Sequence, residues 1–211
     1  MRRRTLPLLA AVGVFAITGC AADEPSTAGS KVAFYGDSYT LGTGATSAQD
    51  RWSTVISEKR GWIEFNPSVN GLGFYNNRYD LDLPGEVIES DPDIVFVTMG
   101  LNDNFSYDDH ADEIHAQLDA DIDRIARELP EARLIVVEPF WYIDARPESV
   151  EVIIGWVKDA AARVDADYIA GASHWIEGNP EWMAFDGLHP NSDGYAEMAK
   201  RMDAALVELG L

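Results

Sequence analysis

Short unbroken apolar runs alternate along the chain with longer stretches whose apolar residues recur every three or four positions. The runs are Lys31–Tyr35, Asp93–Met99 (DIVFVTM) and Arg133–Glu138 (RLIVVE). A strand that reads as a continuous apolar run is buried on both faces of its sheet. Ile63–Val69 reads as a further strand, weakened by Pro67, which has no N–H for a ladder. Asp167–Ala170 reads as a short last strand. The helical stretches are Ser47–Arg60, His110–Leu129, Ser149–Val164 and Ser192–Leu209. In the second of these, Ile114, Leu118, Ile122, Ile125 and Leu129 form one stripe. In the last, Tyr195, Met198, Met202, Ala205 and Leu209 do the same. Pro147 suits the first turn of the third. Strand and helix alternate, so the pattern predicts α/β architecture: a parallel, doubly wound sheet of about five strands. Ligands of such sheets bind beyond the carboxyl ends of the strands.

The first residues do not fit this alternation. MRRRTLPLLAAVGVFAITGC opens with Arg2 to Arg4 and continues with an apolar stretch from Leu6 to Ile17. That stretch is short for a membrane span and has the form of an export signal. It ends in Ile17-Thr18-Gly19-Cys20, which resembles the lipobox of bacterial lipoproteins. The resemblance implies cleavage before Cys20 and a lipid on its sulfur. Cys20 is also the chain's single cysteine, which removes disulfides and thiolate chemistry from consideration. Residues 1–19 are then a signal peptide, 20–30 a lipidated cysteine with a small, polar tether (AADEPSTAGS), and 31–211 one domain. The expected location is the outer side of a bacterial cell membrane, held by lipid.

Composition narrows the partners. The chain has 211 residues and a formal charge of −20. Nucleic acid needs lysine and arginine against its phosphates, so it is not an expected partner. No G-x-G-x-x-G or G-x-x-x-x-G-K-[ST] nucleotide loop occurs, and no G-x-S-x-G elbow. His110, His115 and His174 stand without motif context, and the spacing of the first two is poor for a shared metal. Oligomeric state leaves no mark in the sequence.

Polar clusters follow the strands. Gly36-Asp37-Ser38 follows the first, Asn70-Gly71-Leu72-Gly73 the second, Gly100-Leu101-Asn102-Asp103 the third, and Asp186-Gly187-Leu188-His189-Pro190 precedes the final helix. These four blocks, in this order, resemble those of the SGNH hydrolases, also called GDSL esterases and lipases. GDSYT at 36–40 is similar to the first block, Asn66 to Gly71 to the second, GLND to the third and DGLHP to the fourth. The spans cover nearly the whole chain after the leader. The second block is the loosest match, with Gly73 close to Gly71. Elements and resemblance together point to a flavodoxin-like, three-layer fold.

The resemblance implies roles that elementary chemistry supports. Ser38 is the candidate nucleophile and needs a neighbouring base. His189 is the candidate base, and Asp186, three residues earlier, can orient its ring. The oxyanion donors implied are the backbone N–H of Ser38, the backbone N–H of Gly71 and the side-chain amide of Asn102. Asp37 and Asp103 read as structural, holding their loops. No metal or cofactor is required. The expected function is a serine esterase acting through an acyl-enzyme on Ser38, on a small-molecule or polysaccharide ester, with short acyl or O-acetyl groups favoured. The alternative is a non-catalytic carbohydrate-binding lipoprotein that keeps the fold. Phe74, Tyr75, Phe105, Tyr107, Trp141, Tyr142, Trp175 and Trp182 lie near the motif loops, either as core or as an acyl slot or sugar platform.

Overall fold

The computed structural model describes residues 27–211, so the leader, Cys20 and most of the expected tether lie outside the described residues. Five strands form one parallel sheet: β1 Lys31–Gly36, β2 Ile63–Phe65, β3 Ile94–Thr98, β4 Arg133–Val137 and β5 Asp167–Ile169. Their order is β2-β1-β3-β4-β5. Six α-helices accompany them: α1 Ser38–Leu41, α2 Trp52–Arg60, α3 Leu83–Glu89, α4 Tyr107–Glu128, α5 Glu148–Arg163 and α6 Ser192–Glu208.

The strands' alternating side chains build two cores. Val32, Phe34, Ile94, Phe96, Ile135 and Val137 face α2 and α6, where Trp52, Ile56, Met198, Met202 and Leu206 meet them. Ala33, Tyr35, Val95, Val97, Leu134 and Val136 face Leu83 and Val87 of α3, Leu118, Ile122 and Ile125 of α4, and Val157 of α5. Burial on both faces is why these strands carry no polar alternation. Phe34 pairs with Phe96 in register, and their rings stack at 5.0 Å. The three-layer, doubly wound α/β fold expected from the pattern is the fold observed.

Several local expectations need correction. The single helix expected over 47–60 is split. A capping box between Ser47 and Asp50 closes a short 3-10 turn at Ala48–Asp50, Arg51 is extended, and α2 starts afresh at Trp52. The second strand stops at Phe65, before Pro67, so its polar block follows after a connector rather than at once. Asp186–Pro190 is likewise well separated from β5. Helix α4 begins at Tyr107, and its backbone leaves helical geometry at His110 (φ −137, ψ 28). Pro147 caps α5 from outside rather than sitting in its first turn. Helix α3 was not expected at all. At the start of the described residues, Gly29 N–H donates to the Gly61 carbonyl (2.7 Å) and Trp62 Nε1 to Thr27 Oγ1 (3.0 Å), which fixes residues 27–30 to the domain. Among the described residues, no helix is long and apolar enough to cross a membrane.

Sheet order reverses between β1 and β3, which lead outward in opposite directions. The crevice at that switch point is where open α/β sheets bind ligands. Ser38 follows β1 there and Asn102 follows β3.

Candidate active site

Ser38 is the first residue of α1, and Asp37 caps that helix by accepting from Tyr39 N–H on Oδ1 (2.9 Å). The strand therefore ends where a short helix must begin, and the serine is presented at the junction. Ser38 is nearly buried, and its backbone N–H is without a partner among the described residues. Asn102, after β3, donates through Nδ2 to Asp37 Oδ2 (3.2 Å) and to the Leu72 carbonyl (3.0 Å). One amide thus ties the first, second and third blocks together. Burial pushes the Asp37 carboxyl up to about 7, against the pull of the Tyr39 N–H, and the nearby Asp103 adds to the rise.

The second block is shaped by Asp103. Its carboxylate accepts the backbone N–H groups of Phe74 (2.7 Å), Tyr75 (2.9 Å) and Asn76 (3.1 Å). Burial raises its pKa, while these three donors pull it back. Gly73 lies so close to this carboxylate that a Cβ would sit 2.4 Å from it. The Gly73 N–H is engaged by the Asn76 carbonyl (2.8 Å). The Gly71 N–H has no such partner among the described residues, and its φ of +72 is one that glycine adopts without strain. Of the two glycines, the geometry leaves the N–H of Gly71 free. Asp37 and Asp103 hold their loops by hydrogen bonds, as their positions suggested.

The fourth block folds back on the first. His189 Nδ1 and Asp186 Oδ2 are 2.7 Å apart, and Asp186 Oδ1 also accepts the N–H groups of Leu188 (2.9 Å) and His189 (3.0 Å). Burial is the largest single influence on the Asp186 carboxyl and lifts it, but its three hydrogen bonds and the charge of His189 together outweigh that and hold it down at about 2. Tyr39, beside Ser38, donates its hydroxyl to the Leu188 carbonyl (2.7 Å), and its ring lies 6.0 Å from the His189 ring. Tyr195 of α6 donates to the Thr43 carbonyl (2.7 Å), joining the last helix to the end of the first block. Ser38 Oγ is not hydrogen-bonded to the imidazole in this conformation. Such contacts are commonly long in resting sites and tighten around substrate.

The arrangement matches one family. A model of the GDSL-like lipase/acylhydrolase family covers residues 34–197. The chain belongs to that family. It is 29% identical over 195 residues to a GDSL lipase of Mycobacterium tuberculosis, spanning 85% of this chain and 82% of the relative. Its fold is similar to that of the psychrotrophic esterase EstA of a Pseudoalteromonas species (TM-score 0.68, 14% identity, 85% of this chain and 98% of that one). It is also similar to Axe2, an acetylxylan esterase of Geobacillus stearothermophilus (TM-score 0.64, 20% identity, 84% and 94%). At such identities the two structures testify to the shared fold. Family membership makes the chain an ester-hydrolysing serine hydrolase.

Sequence reasoning missed the supports of the second block. The carbonyl of Gly71 accepts from two side-chain amides, Asn76 Nδ2 (3.1 Å) and Asn77 Nδ2 (3.0 Å). Arg78 donates to the Phe74 carbonyl (3.2 Å) and forms a fork on Asp121, which is buried and also takes the Tyr35 hydroxyl (2.6 Å). Of the aromatics near the loops, Phe74, Trp141 and Trp175 are core. Tyr75 and Phe105 are exposed.

Proposed function

We propose that this family member is an extracytoplasmic esterase that cleaves carboxylic esters, short acyl and O-acetyl groups first, through an acyl-enzyme on Ser38. The observation that carries the reading is the commitment of His189 Nδ1 to Asp186 at 2.7 Å. That bond leaves Nε2 as the ring nitrogen that can take a proton. In the proposed sequence, Nε2 accepts the Ser38 proton as Oγ attacks the ester carbonyl. The carbonyl oxygen becomes an oxyanion, met by the N–H groups of Ser38 and Gly71 and by the Asn102 amide. The Asn102–Asp37 contact is the longer of that amide's two bonds, and is the one an oxyanion would share. Collapse breaks the ester C–O bond, and the alkoxide leaves with the proton from His189. Water, deprotonated by the same nitrogen, then attacks the acyl-enzyme and frees Ser38.

The preference for short acyl and O-acetyl groups draws on the likeness of the fold to the acetylxylan esterase Axe2. Asp186 is exposed, and Phe185 beside it is fully exposed. A cleft of about 550 Å³ near the fourth block is lined by Tyr142, Ile143, Met183 and Ala184 among others, but by neither Ser38 nor His189. The export and anchoring at Cys20 rest on the leader's sequence alone.

Turnover of p-nitrophenyl acetate, with a pre-steady-state burst equal to the enzyme concentration, tests the acyl-enzyme. A folded wild-type protein without turnover overturns the reading. For the anchor, Cys20→Ser should move the protein out of the membrane fraction, because lipid chains hold by burying methylenes at about 0.8 kcal/mol each. Unchanged membrane association of Cys20→Ser would refute lipidation there.

A further inference from the structure

We propose that the cleft between the 74–79 loop and the head of α4 is a subsite for a neutral carbohydrate chain, and that its occupancy braces the Gly71 loop. The proposal rests on the esterase reading above and names the class of alcohol the ester belongs to. The cleft has a volume of about 440 Å³, within the range of ligand pockets. Its wall combines aromatic rings, Tyr75, Tyr79 and His110, with the amides of Asn76, Asn77 and Gln117.

Three features distinguish this wall from ordinary surface. Tyr75 (37% exposed) and Tyr79 (85%) line the same cleft, so the exposed aromatic surface is grouped there rather than scattered singly. Asn77 (φ +53) and Tyr79 (φ +43) both hold left-handed backbone, which is uncommon for tyrosine and collects at functional loops. His110 sits where α4 leaves helical geometry, its ring 4.7 Å from that of Tyr75; its Nδ1 makes no hydrogen bond among the described residues and has Glu113 Oε1 at 3.8 Å.

The chemistry of the wall selects the ligand. Rings offer flat apolar faces with polar edges, and amides offer both donors and acceptors. A sugar presents C–H faces and hydroxyls that need both. The NH₂ groups of Asn76, Asn77 and Gln117 each give one N–H to the protein, to the Gly71 carbonyl twice and to Asp121 once, and keep a second that an acyl chain could not partner. An anion would look to Arg78, but that guanidinium is already forked on Asp121, and the chain carries a formal charge of −20.

The cleft is also wired to the reaction. Asn76 and Asn77, which line it, hold the Gly71 carbonyl through their amides, and Asn76 Oδ1 in turn takes the Ser106 hydroxyl. A sugar unit bonded to these amides orders the peptide whose neighbour donates to the oxyanion. Binding energy from a non-reacting unit would then appear in kcat.

The test uses the full chain and two ester classes. Tyr79→Asn removes the ring and keeps a residue tolerant of left-handed backbone. Tyr75→Ala is the second variant, since its N–H bond to Asp103 needs no side chain. On acetylated xylo-oligosaccharides each should lower kcat/KM by about tenfold, and on p-nitrophenyl acetate by less than about twofold. In a Ser38→Ala background, calorimetry with xylotetraose, cellotetraose and mannotetraose should show saturable binding of at least one, weakened by Tyr79→Asn. Equal losses on both ester classes, or no binding of any of the three sugars, would overturn the subsite while leaving the esterase reading intact. A wild-type enzyme inert to p-nitrophenyl acetate would instead sink the esterase reading, and the titration would still decide the subsite.

Discussion

On one side of Ser38, the loop from Gly71 to Arg78 is gripped from beneath. Asp103 holds three of its N–H groups, and Asp121, 4% exposed at its side chain, holds Arg78. On the other side, Asp186 is 44% exposed, and its hydrogen bonds all come from its own turn. The two sides have different tasks. A group that meets developing charge must already point the right way, in a place where water does not weaken it. A group that moves protons must admit water and let the alcohol leave. The dry, braced side suits charge stabilisation; on the other side the base, His189, is itself only 14% exposed, and it is the residue that orients it, Asp186, that meets solvent.

The largest expected effect lies where the two sides meet. Ser38→Ala and His189→Ala should each remove turnover by about 10⁴–10⁶, and the double variant should be scarcely worse, because nucleophile and base act as a unit. The measurement is kcat/KM on one activated ester, in protein whose fold is checked by circular dichroism. Additive losses would separate the two residues and dissolve the proposed mechanism. Asp186→Ala should cost less, at most about 10⁴, since it orients the base and solvent screens its charge. A loss as large as that of Ser38→Ala would mean that the exposed side is as electrostatically demanding as the buried one.

Asn102→Ala tests the braced side, with an expected loss of about 10²–10³ in kcat and little change in KM. A loss confined to KM would move Asn102 from the oxyanion to substrate binding.

The same contrast governs what could be read from sequence. Asp186 and His189 are three residues apart, so their pairing is local and shows as a motif. The four polar blocks and the buried strands were legible for a similar reason, since period and spacing carry them. The braces of the second block were not. Arg78 and Asp121 are 43 positions apart, and neither belongs to a pattern. Helix α3 escaped notice because Pro84 and Gly85 are poor helix formers. It forms because Asp82 caps it, proline is tolerated in its first turn, and Leu83 and Val87 are buried. The start of α4 was misplaced because its first turn, Tyr107 to His110, lacks the apolar stripe that marks the rest. Tertiary contacts, not periodicity, fix these parts.

The smallest expected effect comes from Asp37, the one carboxylate that touches both the nucleophile's helix and the Asn102 amide. Its folded pKa is raised to about 7, from an ordinary value near 4, chiefly by burial. An acid with a raised folded pKa binds its proton more tightly in the native state. Stability contributed by this group therefore grows as pH falls from about 7 to about 4, and above 7 the folded protein bears the full cost of a buried charge. That cost is on the order of 4 kcal/mol. Asp186 works in the opposite sense: its contribution is present above about pH 4 and is lost as pH falls through its folded value of about 2. Between pH 5 and 8 the Asp37 slope should stand alone among these two. Asp37→Asn removes that slope and keeps an oxygen for the Tyr39 N–H, since asparagine caps helices well. It also sets an NH₂ against the Asn102 amide, two donors face to face, so kcat should drop, by less than in Asn102→Ala. Urea midpoints of both proteins at pH 5, 6, 7 and 8 provide the measurement. A difference between them that stays constant across the range would show that Asp37 keeps its charge throughout, and that the braced side is less dry than its burial implies.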